Sequence, residues 1–228
     1  MPYRIALFDA DNTLLDFARS EYEAITDCLV SRGLPHDDAV IARYSAINDT
    51  HWKMLERGET TRDRLRIDRF AVFFKEFGFN CDPVRMADDY MAALSTKSYP
   101  MDGAVELIEN LTGRCRMFII TNGIALVQNA RFNITPMAPH FEGVFISEDV
   151  GCAKPEKAFF DHVASHIPNF DSRDALIIGD SLTSDIQGGI QAGIDTCWFN
   201  PHGKTAPAGM SITHTIANLN EVEAILLE

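Results

Sequence analysis

Four short polar segments, far apart in the chain, carry groups that could do chemistry. They are Asp9-Ala-Asp-Asn-Thr13, Thr121-Asn122-Gly123, Lys154-Pro155 and Gly179-Asp-Ser-Leu-Thr-Ser-Asp185. Taken alone, each segment has an ordinary interpretation as a turn, a helix cap or a solvated charge. At the ends of four strands in one parallel sheet, however, the four segments would converge on a single site.

The first segment brings two carboxylates together. Side chains two positions apart on an extended backbone share a face, so Asp9 and Asp11 are expected to point beyond the strand end toward one site. Two such charges 4 Å apart repel by about 4 kcal/mol at an effective dielectric near 20. Either one carboxylate is protonated or a cation lies between them.

The complete set suits Mg²⁺ and a phosphoryl group. Carboxylates without His or Cys form a hard oxygen site, which favours Mg²⁺ as cofactor, and Asp185 is either a helix cap or a further carboxylate of this site. Lys154 would neutralise a transferring phosphoryl group, while Thr121, Asn122 and nearby N–H groups would hold its oxygens. Asp9 can attack phosphorus, and Asp11 can protonate the leaving oxygen and then activate water.

The elements that must position these groups alternate between strands and helices. Strands are predicted at Tyr3–Phe8, Arg116–Thr121, Gly143–Ser147, Ala175–Gly179 and Thr196–Phe199. Helices are predicted between them, including Gly103–Leu111, Glu156–Ser165 and Asp185–Ala192. This alternation predicts an α/β fold with a doubly wound parallel sheet, Rossmann-like, whose strands are buried on both faces.

Residues 16–97 interrupt this alternation. Their apolar residues recur at helical spacing, which predicts four helices in a small bundle. The expected organisation is an α/β core of residues 1–15 and 98–228 with an inserted helical cap of residues 16–97.

Composition narrows the class of partner. The 228 residues are 46% hydrophobic and 23% charged, and the net charge of -13 argues against a nucleic-acid polymer as partner. Five widely spaced cysteines without a CxxC pair predict reduced core thiols. Neither a signal peptide nor an apolar run of about 20 residues is evident. We therefore expect a cytoplasmic protein without a membrane partner, either a monomer or a homodimer.

The four segments occur in the order typical of haloacid dehalogenase superfamily phosphatases, which the whole chain resembles. The resemblance implies Asp9 as nucleophile and Asp11 as acid/base. It further implies that the Asp11 main-chain carbonyl joins Asp9 and Asp180 as a Mg²⁺ ligand. The resemblance also implies that Asp185 binds the metal either directly or through a water molecule.

Within that superfamily, the chain is similar to the bacterial pyrimidine 5′-nucleotidases. The similar segments are the stretch from Asp9 to Phe17, Asn48 with Trp52, Ile146–Pro155 and Thr196–Asn200. The resemblance implies a small phosphate ester as substrate, a nucleoside monophosphate contacted by Phe17, Asn48 and Trp52 of the cap. Packing is the alternative role of Phe17 and Trp52. Ile124 stands where an aromatic residue is expected, which predicts a broader base preference.

Other functions remain open at this point. A phosphatase or mutase acting on another phosphate ester, such as a sugar phosphate, would carry the same core segments, because the cap selects the substrate. A non-catalytic phosphate-binding protein is the alternative of a different class. A dehalogenase is disfavoured, because that branch lacks an Asp at the position of Asp11, which a leaving alkoxide needs.

Overall fold

The computed structural model of the chain describes residues 3–227, which divide into two compact units. One unit comprises the residues up to Phe17 together with those from Ser98 onward, and the other is Ala18–Lys97. The first combines strands and helices, and the second is helical. The predicted fold class, an α/β parallel-sheet core with an inserted helical segment, is confirmed.

The α/β unit is built on one sheet of six parallel strands. The strands are β1 (Ile5–Phe8), β2 (Arg116–Thr121), β3 (Gly143–Ile146), β4 (Ala175–Gly179), β5 (Asp195–Phe199) and β6 (His214–Ile216). Their order is β3-β2-β1-β4-β5-β6. The chain adds strands to one side of β1 and then to the other, so the topological switch point lies between β1 and β4. Ligand sites of doubly wound sheets form at the carboxyl ends beside this point.

Ten α-helices occur within residues 3–227. They are α1 (Phe17–Val30), α2 (Asp38–Glu56), α3 (Arg62–Phe77), α4 (Pro83–Ser95), α5 (Ala104–Leu111), α6 (Ala125–Ile134), α7 (Ser147–Val150), α8 (Lys157–His166), α9 (Gln187–Ala192) and α10 (Glu221–Leu227). Alternate strand residues pack on opposite faces of the sheet. Leu176 and Ile178 of β4 lie in a cluster with residues of α5 and α10, while Ile177 packs with residues of α8.

The helical unit contains the four helices expected for residues 16–97, and local signals set their ends. Asp37 precedes α2 and accepts from the backbone N–H groups of Ala39 and Val40, which satisfies donors that the helix itself leaves open. α3 ends at Gly78 in the left-handed conformation. Closely spaced aromatic rings fill the interior between α2, α3 and α4. They include Tyr44, Phe70, Phe73 and Tyr90.

Several details differ from the sequence-based expectations. The short edge strand β6 and the helices α6 and α10 were not predicted, and α6 lacks a clear apolar stripe because Gln128 and Arg131 occupy buried positions. All five cysteines are free, as expected, but only Cys28 and Cys197 are buried. Among the described residues, no helix combines the length and apolar character needed to cross a membrane.

Candidate active site

The four polar segments meet at the carboxyl ends of four neighbouring strands. Asp9 follows β1 directly, and its backbone N–H donates to the Ile178 carbonyl at 2.8 Å, which extends the pairing of β1 with β4. Thr121 is the last residue of β2, and Asp180 follows β4. Lys154 reaches the same place from the loop beyond β3 and α7. The common location predicted from the strand ends is therefore observed.

A tight turn after β1 shapes the surroundings of Asp9. Asn12 adopts a φ of 61°, a left-handed conformation that Asn tolerates better than most residues. The backbone N–H groups of Leu14 and Leu15 both donate to the Ala10 carbonyl, at 3.0 and 2.8 Å. This reversal brings the Thr13 hydroxyl to 3.3 Å from Asp9 Oδ2, to which it donates. One oxygen of the Asp9 carboxylate is thus oriented by its own turn.

Lys154 is the charged centre of the site. Its side chain is buried, and Nζ donates to Asp9 Oδ1 at 2.6 Å, to Asp185 Oδ1 at 2.7 Å and to the Ile120 carbonyl at 2.8 Å. All three ammonium hydrogens therefore have acceptors. Burial opposes the charged form, but the carboxylates of Asp185 and Asp9 outweigh it and raise the pKa of Lys154 above its ordinary value. Lys154 stays cationic next to the predicted nucleophile.

Three carboxylates crowd around this lysine. Oxygen atoms of Asp9, Asp180 and Asp185 all lie within 4.8 Å of one another. Burial raises the pKa of Asp9 well above its usual range, with Lys154 acting in the opposite direction. Burial, assisted by the Asp185 charge, raises the pKa of Asp180 to about 7. One ammonium group does not offset three carboxylates, so the donor set fits a divalent cation with a preference for oxygen ligands, such as Mg²⁺.

Asp185 reaches the cluster because the chain makes a single π-helical turn at Leu182–Ile186 instead of starting α9 there. Its Oδ2 accepts from the Ser181 backbone N–H at 3.1 Å. The side chain consequently folds back against Gly179 at the end of β4. A Cβ atom at Gly179 would lie 2.3 Å from Asp185 Oδ2 and 2.7 Å from Asp185 Cβ. Glycine is required here for the close approach of a carboxylate.

Gly179→Ala is expected to displace Asp185 and remove most of the activity. Contacts down to the Asp185 Cβ cannot be relieved by a side-chain rotation alone, and a 1 Å displacement in an active site can cost about 10²-fold in rate. Gly143→Ala is the matched control, since its nearest neighbour is the edge of the Phe118 ring at 3.3 Å, on the edge strand β3. Hydrolysis rates and melting temperatures of both variants provide the measurement. Wild-type activity in Gly179→Ala would contradict the assigned packing.

The Asp11 side chain has different partners from the other carboxylates. Its Oδ1 accepts from Arg131 Nη1 at 2.5 Å, and its Oδ2 accepts from Gln128 Nε2 at 2.5 Å. The three-carboxylate cluster does not include the Asp11 side chain. If Asp11 binds metal, its main-chain carbonyl is the group that the family resemblance implies. Sequence reasoning missed Gln128 and Arg131, and the only local signal was polar residues one helical turn apart in the segment after Gly123.

Thr121 and Asn122 serve the site in different ways. The Thr121 hydroxyl accepts from the Gly123 backbone N–H at 3.1 Å and from Gln128 Nε2 at 3.3 Å. The Asn122 amide instead pairs with the backbone of Lys154, accepting from its N–H at 2.9 Å and donating to its carbonyl at 2.8 Å. Asn122 therefore holds the Lys154 backbone in place. Its predicted contact with phosphate stays a prediction.

The three residues assigned to substrate selection lie in different surroundings. Phe17 belongs to the α/β unit, where its ring centre is 5.8 Å from the Arg131 guanidinium carbon. Asn48 is 2% exposed, and its amide donates to Glu21 Oε1 at 2.6 Å while it accepts from Arg69 Nη1 at 2.7 Å. Trp52 is half-buried on α2. Their contact with a substrate base stays a prediction.

The buried Glu21 makes the stability of the helical unit depend on pH. Burial raises the pKa of Glu21 above its ordinary 4.5, although hydrogen bonds from Ser45 and Asn48 and the Arg69 charge favour the ionised form. A carboxyl with a raised pKa binds its proton more tightly in the folded state. Its contribution to the free energy of unfolding therefore grows as the pH falls through the folded pKa toward 4.5.

We expect Glu21→Gln to lose this dependence. When the pH is lowered from about 7.5 to about 4.5, the free energy of unfolding of the parent should rise relative to that of the variant, because only the parent takes up the proton. Urea unfolding of both proteins at the two pH values tests this. A relative change in favour of the variant would contradict the raised pKa.

Known relatives match the chain over nearly its full length. It is 38% identical to the HAD-hydrolase YfnB of Bacillus subtilis over 224 residues, covering 98% of this chain and 95% of that protein. It is 38% identical to the pyrimidine 5′-nucleotidase PynA of Streptococcus pneumoniae, covering 89% and 86%, and 32% identical to the pyrimidine 5′-nucleotidase YjjG of Escherichia coli, covering 96% of each.

A solved structure and a family description agree with these relatives. The crystal structure of YfnB from Bacillus subtilis bound to magnesium superposes with a TM-score of 0.94 at 38% identity, covering 99% of both chains. Residues 3–193 match the family of haloacid dehalogenase-like hydrolases. That span includes all four polar segments and the helical insertion, and the resemblance inferred from the motifs is confirmed. The chain therefore belongs to the haloacid dehalogenase-like hydrolases.

Proposed function

We propose that this protein is a Mg²⁺-dependent phosphatase that hydrolyses nucleoside 5′-monophosphates, pyrimidine nucleotides first, through a phosphoryl group carried on Asp9. The main supporting observation is the position of the Asp9 carboxylate. It lies at the carboxyl end of the central strand β1, 2.6 Å from the Lys154 ammonium and within the cluster of carboxylates. A nucleophile, a fixed positive charge and a metal-compatible donor set thus occupy one site.

The two carboxylates of the first segment divide the reaction between them. In the first half, an Asp9 oxygen forms a bond to phosphorus as the ester P–O bond breaks, and Asp11 gives its proton to the leaving alkoxide. In the second half, Asp11 takes a proton from water, the water oxygen bonds to phosphorus, and the bond to Asp9 breaks. Inorganic phosphate leaves, and Asp9 is restored.

The surrounding groups stabilise charge and fix geometry. The Lys154 ammonium is already hydrogen-bonded to Asp9. It would therefore stabilise the negative charge of a phosphate ester that approaches Asp9. Thr121 ends β2 with its hydroxyl oriented by Gly123 and Gln128. Bound Mg²⁺, held by Asp9, Asp180, Asp185 and the Asp11 carbonyl, would supply the positive charge that draws a phosphate dianion into this acidic site.

The substrate class rests on the relatives and on the predicted cap residues. PynA and YjjG, which match nearly the whole chain, are pyrimidine 5′-nucleotidases. Among the cap residues predicted to contact the base, Trp52 is half-buried on α2, whereas the Asn48 amide is already paired with Glu21 and Arg69. Ile124, which is buried at the start of α6, stands where an aromatic residue is expected, and this favours a broader base preference.

A comparison of substrates tests the proposal. The quantities are kcat/KM values for uridine and thymidine monophosphates and for a hexose phosphate, measured in the parent, in Trp52→Ala and in Phe77→Ala as a control from the same helical unit. We expect the nucleotides to react faster in the parent and the preference to fall in Trp52→Ala alone. Faster hydrolysis of the hexose phosphate would favour a sugar phosphatase, and absence of any phosphate release would favour a binding protein.

A further inference from the structure

Two buried donors hold the Asp11 carboxylate from both sides. Arg131 is fully buried and Gln128 is 1% exposed, and each donates to a different oxygen of Asp11 at 2.5 Å. The Asp11 side chain itself is 25% exposed. A partly exposed carboxylate just after a strand has several rotamers open to it. Because a fixed donor contacts each of its two oxygens, the Asp11 carboxylate is restricted to a single rotamer and its plane is fixed.

The donors are themselves fixed by contacts that do not involve Asp11. Gln128 also donates to the Thr121 hydroxyl at 3.3 Å, and the Arg131 guanidinium lies over the Phe17 ring. Gly123 leaves the space that Gln128 fills, because a Cβ atom there would lie 2.1 Å from Gln128 Nε2. These contacts position the two side chains before any substrate arrives.

The start of α6 is also anchored. The backbone N–H of Ala125 donates to Glu148 Oε2 at 2.6 Å, so a carboxylate from α7 caps the helix that carries both donors. Gln128 and Arg131 are three residues apart and therefore lie on the same side of this helix. The position of α6 therefore determines the geometry of both hydrogen bonds to Asp11.

We propose that Arg131 and Gln128 are positioning residues that hold the Asp11 carboxylate where it can relay a proton between the ester oxygen and the attacking water. This inference rests on the proposed function, in which Asp11 is the acid/base. Neither residue needs to touch the substrate. Arg131 and the Gln128 amide act only as donors toward Asp11, so they orient it without competing for the proton that it relays. A displacement of about 1 Å can cost about 10²-fold in rate.

A dependence on the leaving group separates this role from a structural one. An alkoxide leaves with difficulty and needs the proton from Asp11, whereas 4-nitrophenolate leaves without one. The ratio kcat/KM reports only the steps up to release of the alcohol. It is therefore insensitive to the activation of water, which occurs afterwards, in the hydrolysis of the phosphoryl group on Asp9. Loss of positioning should therefore reduce kcat/KM for an alkyl phosphate and leave that for 4-nitrophenyl phosphate nearly unchanged.

The test measures both substrates in Arg131→Met, Gln128→Met and Asp11→Asn, and in the two double variants that combine Asp11→Asn with either methionine. We expect Arg131→Met to lose about 10-fold to 100-fold in kcat/KM on the alkyl phosphate and less than about threefold on the aryl phosphate. Gln128→Met also removes a donor to the Thr121 hydroxyl, so it should lower both values but the alkyl value about tenfold more. In the Asp11→Asn background, Arg131→Met should cost less than about threefold on either substrate, because no carboxylate remains to be positioned, and Gln128→Met should cost the same factor on both substrates. Arg131→Lys should recover part of the alkyl activity.

Arg116→Met is the matched control. Arg116 also combines an ion pair, with Glu142, and a stacking contact, with Phe118, but it lies at the amino end of β2. It should behave like the parent with both substrates. If Arg131→Met does not fold, Gln128→Met carries the test. Equal losses on both substrates, or full losses in the Asp11→Asn background, overturn the positioning role. If Asp11→Asn itself shows no selective loss on the alkyl phosphate, the acid/base part of the proposed function fails instead.

Discussion

Asp9→Asn is expected to reduce phosphate release to background, a loss on the order of 10⁴-fold or more, because an amide cannot form the phosphoryl intermediate. The fold should survive. Burial already disfavours the Asp9 charge, which is why its pKa is raised, and a neutral side chain of the same shape avoids that cost. Lys154 keeps two acceptors, Asp185 and the Ile120 carbonyl.

The measurement combines a phosphate-release assay with thermal melting and with mass spectrometry of the acid-quenched enzyme. Asp161→Asn provides the control, since Asp161 forms an exposed ion pair with Lys157 on α8, and such pairs contribute little to stability. The control should keep parental activity. A phosphoryl group found on any residue other than Asp9 would overturn the assignment of the nucleophile.

Exhaustive removal of divalent cations should abolish activity, and added Mg²⁺ should restore it. The physical reason is the crowding of three carboxylates within 4.8 Å around a single lysine, an arrangement that would repel a phosphate dianion. Binding of the cation should also stabilise the folded protein. At a concentration of 100 times Kd, a ligand specific for the folded state adds about 2.7 kcal/mol to the free energy of unfolding.

Asp180→Asn separates metal binding from catalysis. We expect Mg²⁺ to raise the melting temperature of the parent and of Asp161→Asn, but much less that of Asp180→Asn, which lacks one carboxylate of the cluster. This readout does not depend on turnover. Full activity after treatment with a chelator, or an equal thermal shift in Asp180→Asn, is the result that would exclude the assigned metal site.

Much of this protein was predictable because local patterns encode it. Continuous apolar runs such as Ala175–Gly179 indicate strands buried on both faces, and the residues after such runs necessarily lie at the carboxyl edge of a parallel sheet. Asp9, Thr121 and Asp180 could therefore be assigned to one edge before any coordinates were known. Helical periodicity likewise predicted the four helices between residues 16 and 97.

The hydrogen-bond partners of individual side chains could not be predicted from local patterns. Arg131 contacts Asp11 across 120 positions of the chain, and no periodicity in either segment indicates the other. The pairing of the Asn122 amide with the Lys154 backbone was not predicted, and the expected contact of Asn122 with phosphate stays a prediction. The hydrogen bonds of the Asn48 amide with Glu21 and Arg69 were likewise not predicted, and its contact with a base stays a prediction. Such pairings depend on the rotation and packing of whole elements.

The sequence by itself determined the fold class, the family and the strand ends at which the chemical groups lie, because strand and helix periods and motif order are properties of neighbouring residues. Only the tertiary structure decided how those groups are paired. Lys154 lies between Asp9 and Asp185, and Gln128 and Arg131 of α6 hold Asp11. Each pairing joins segments distant in the chain, and their distances are fixed by close packing of the sheet and its helices.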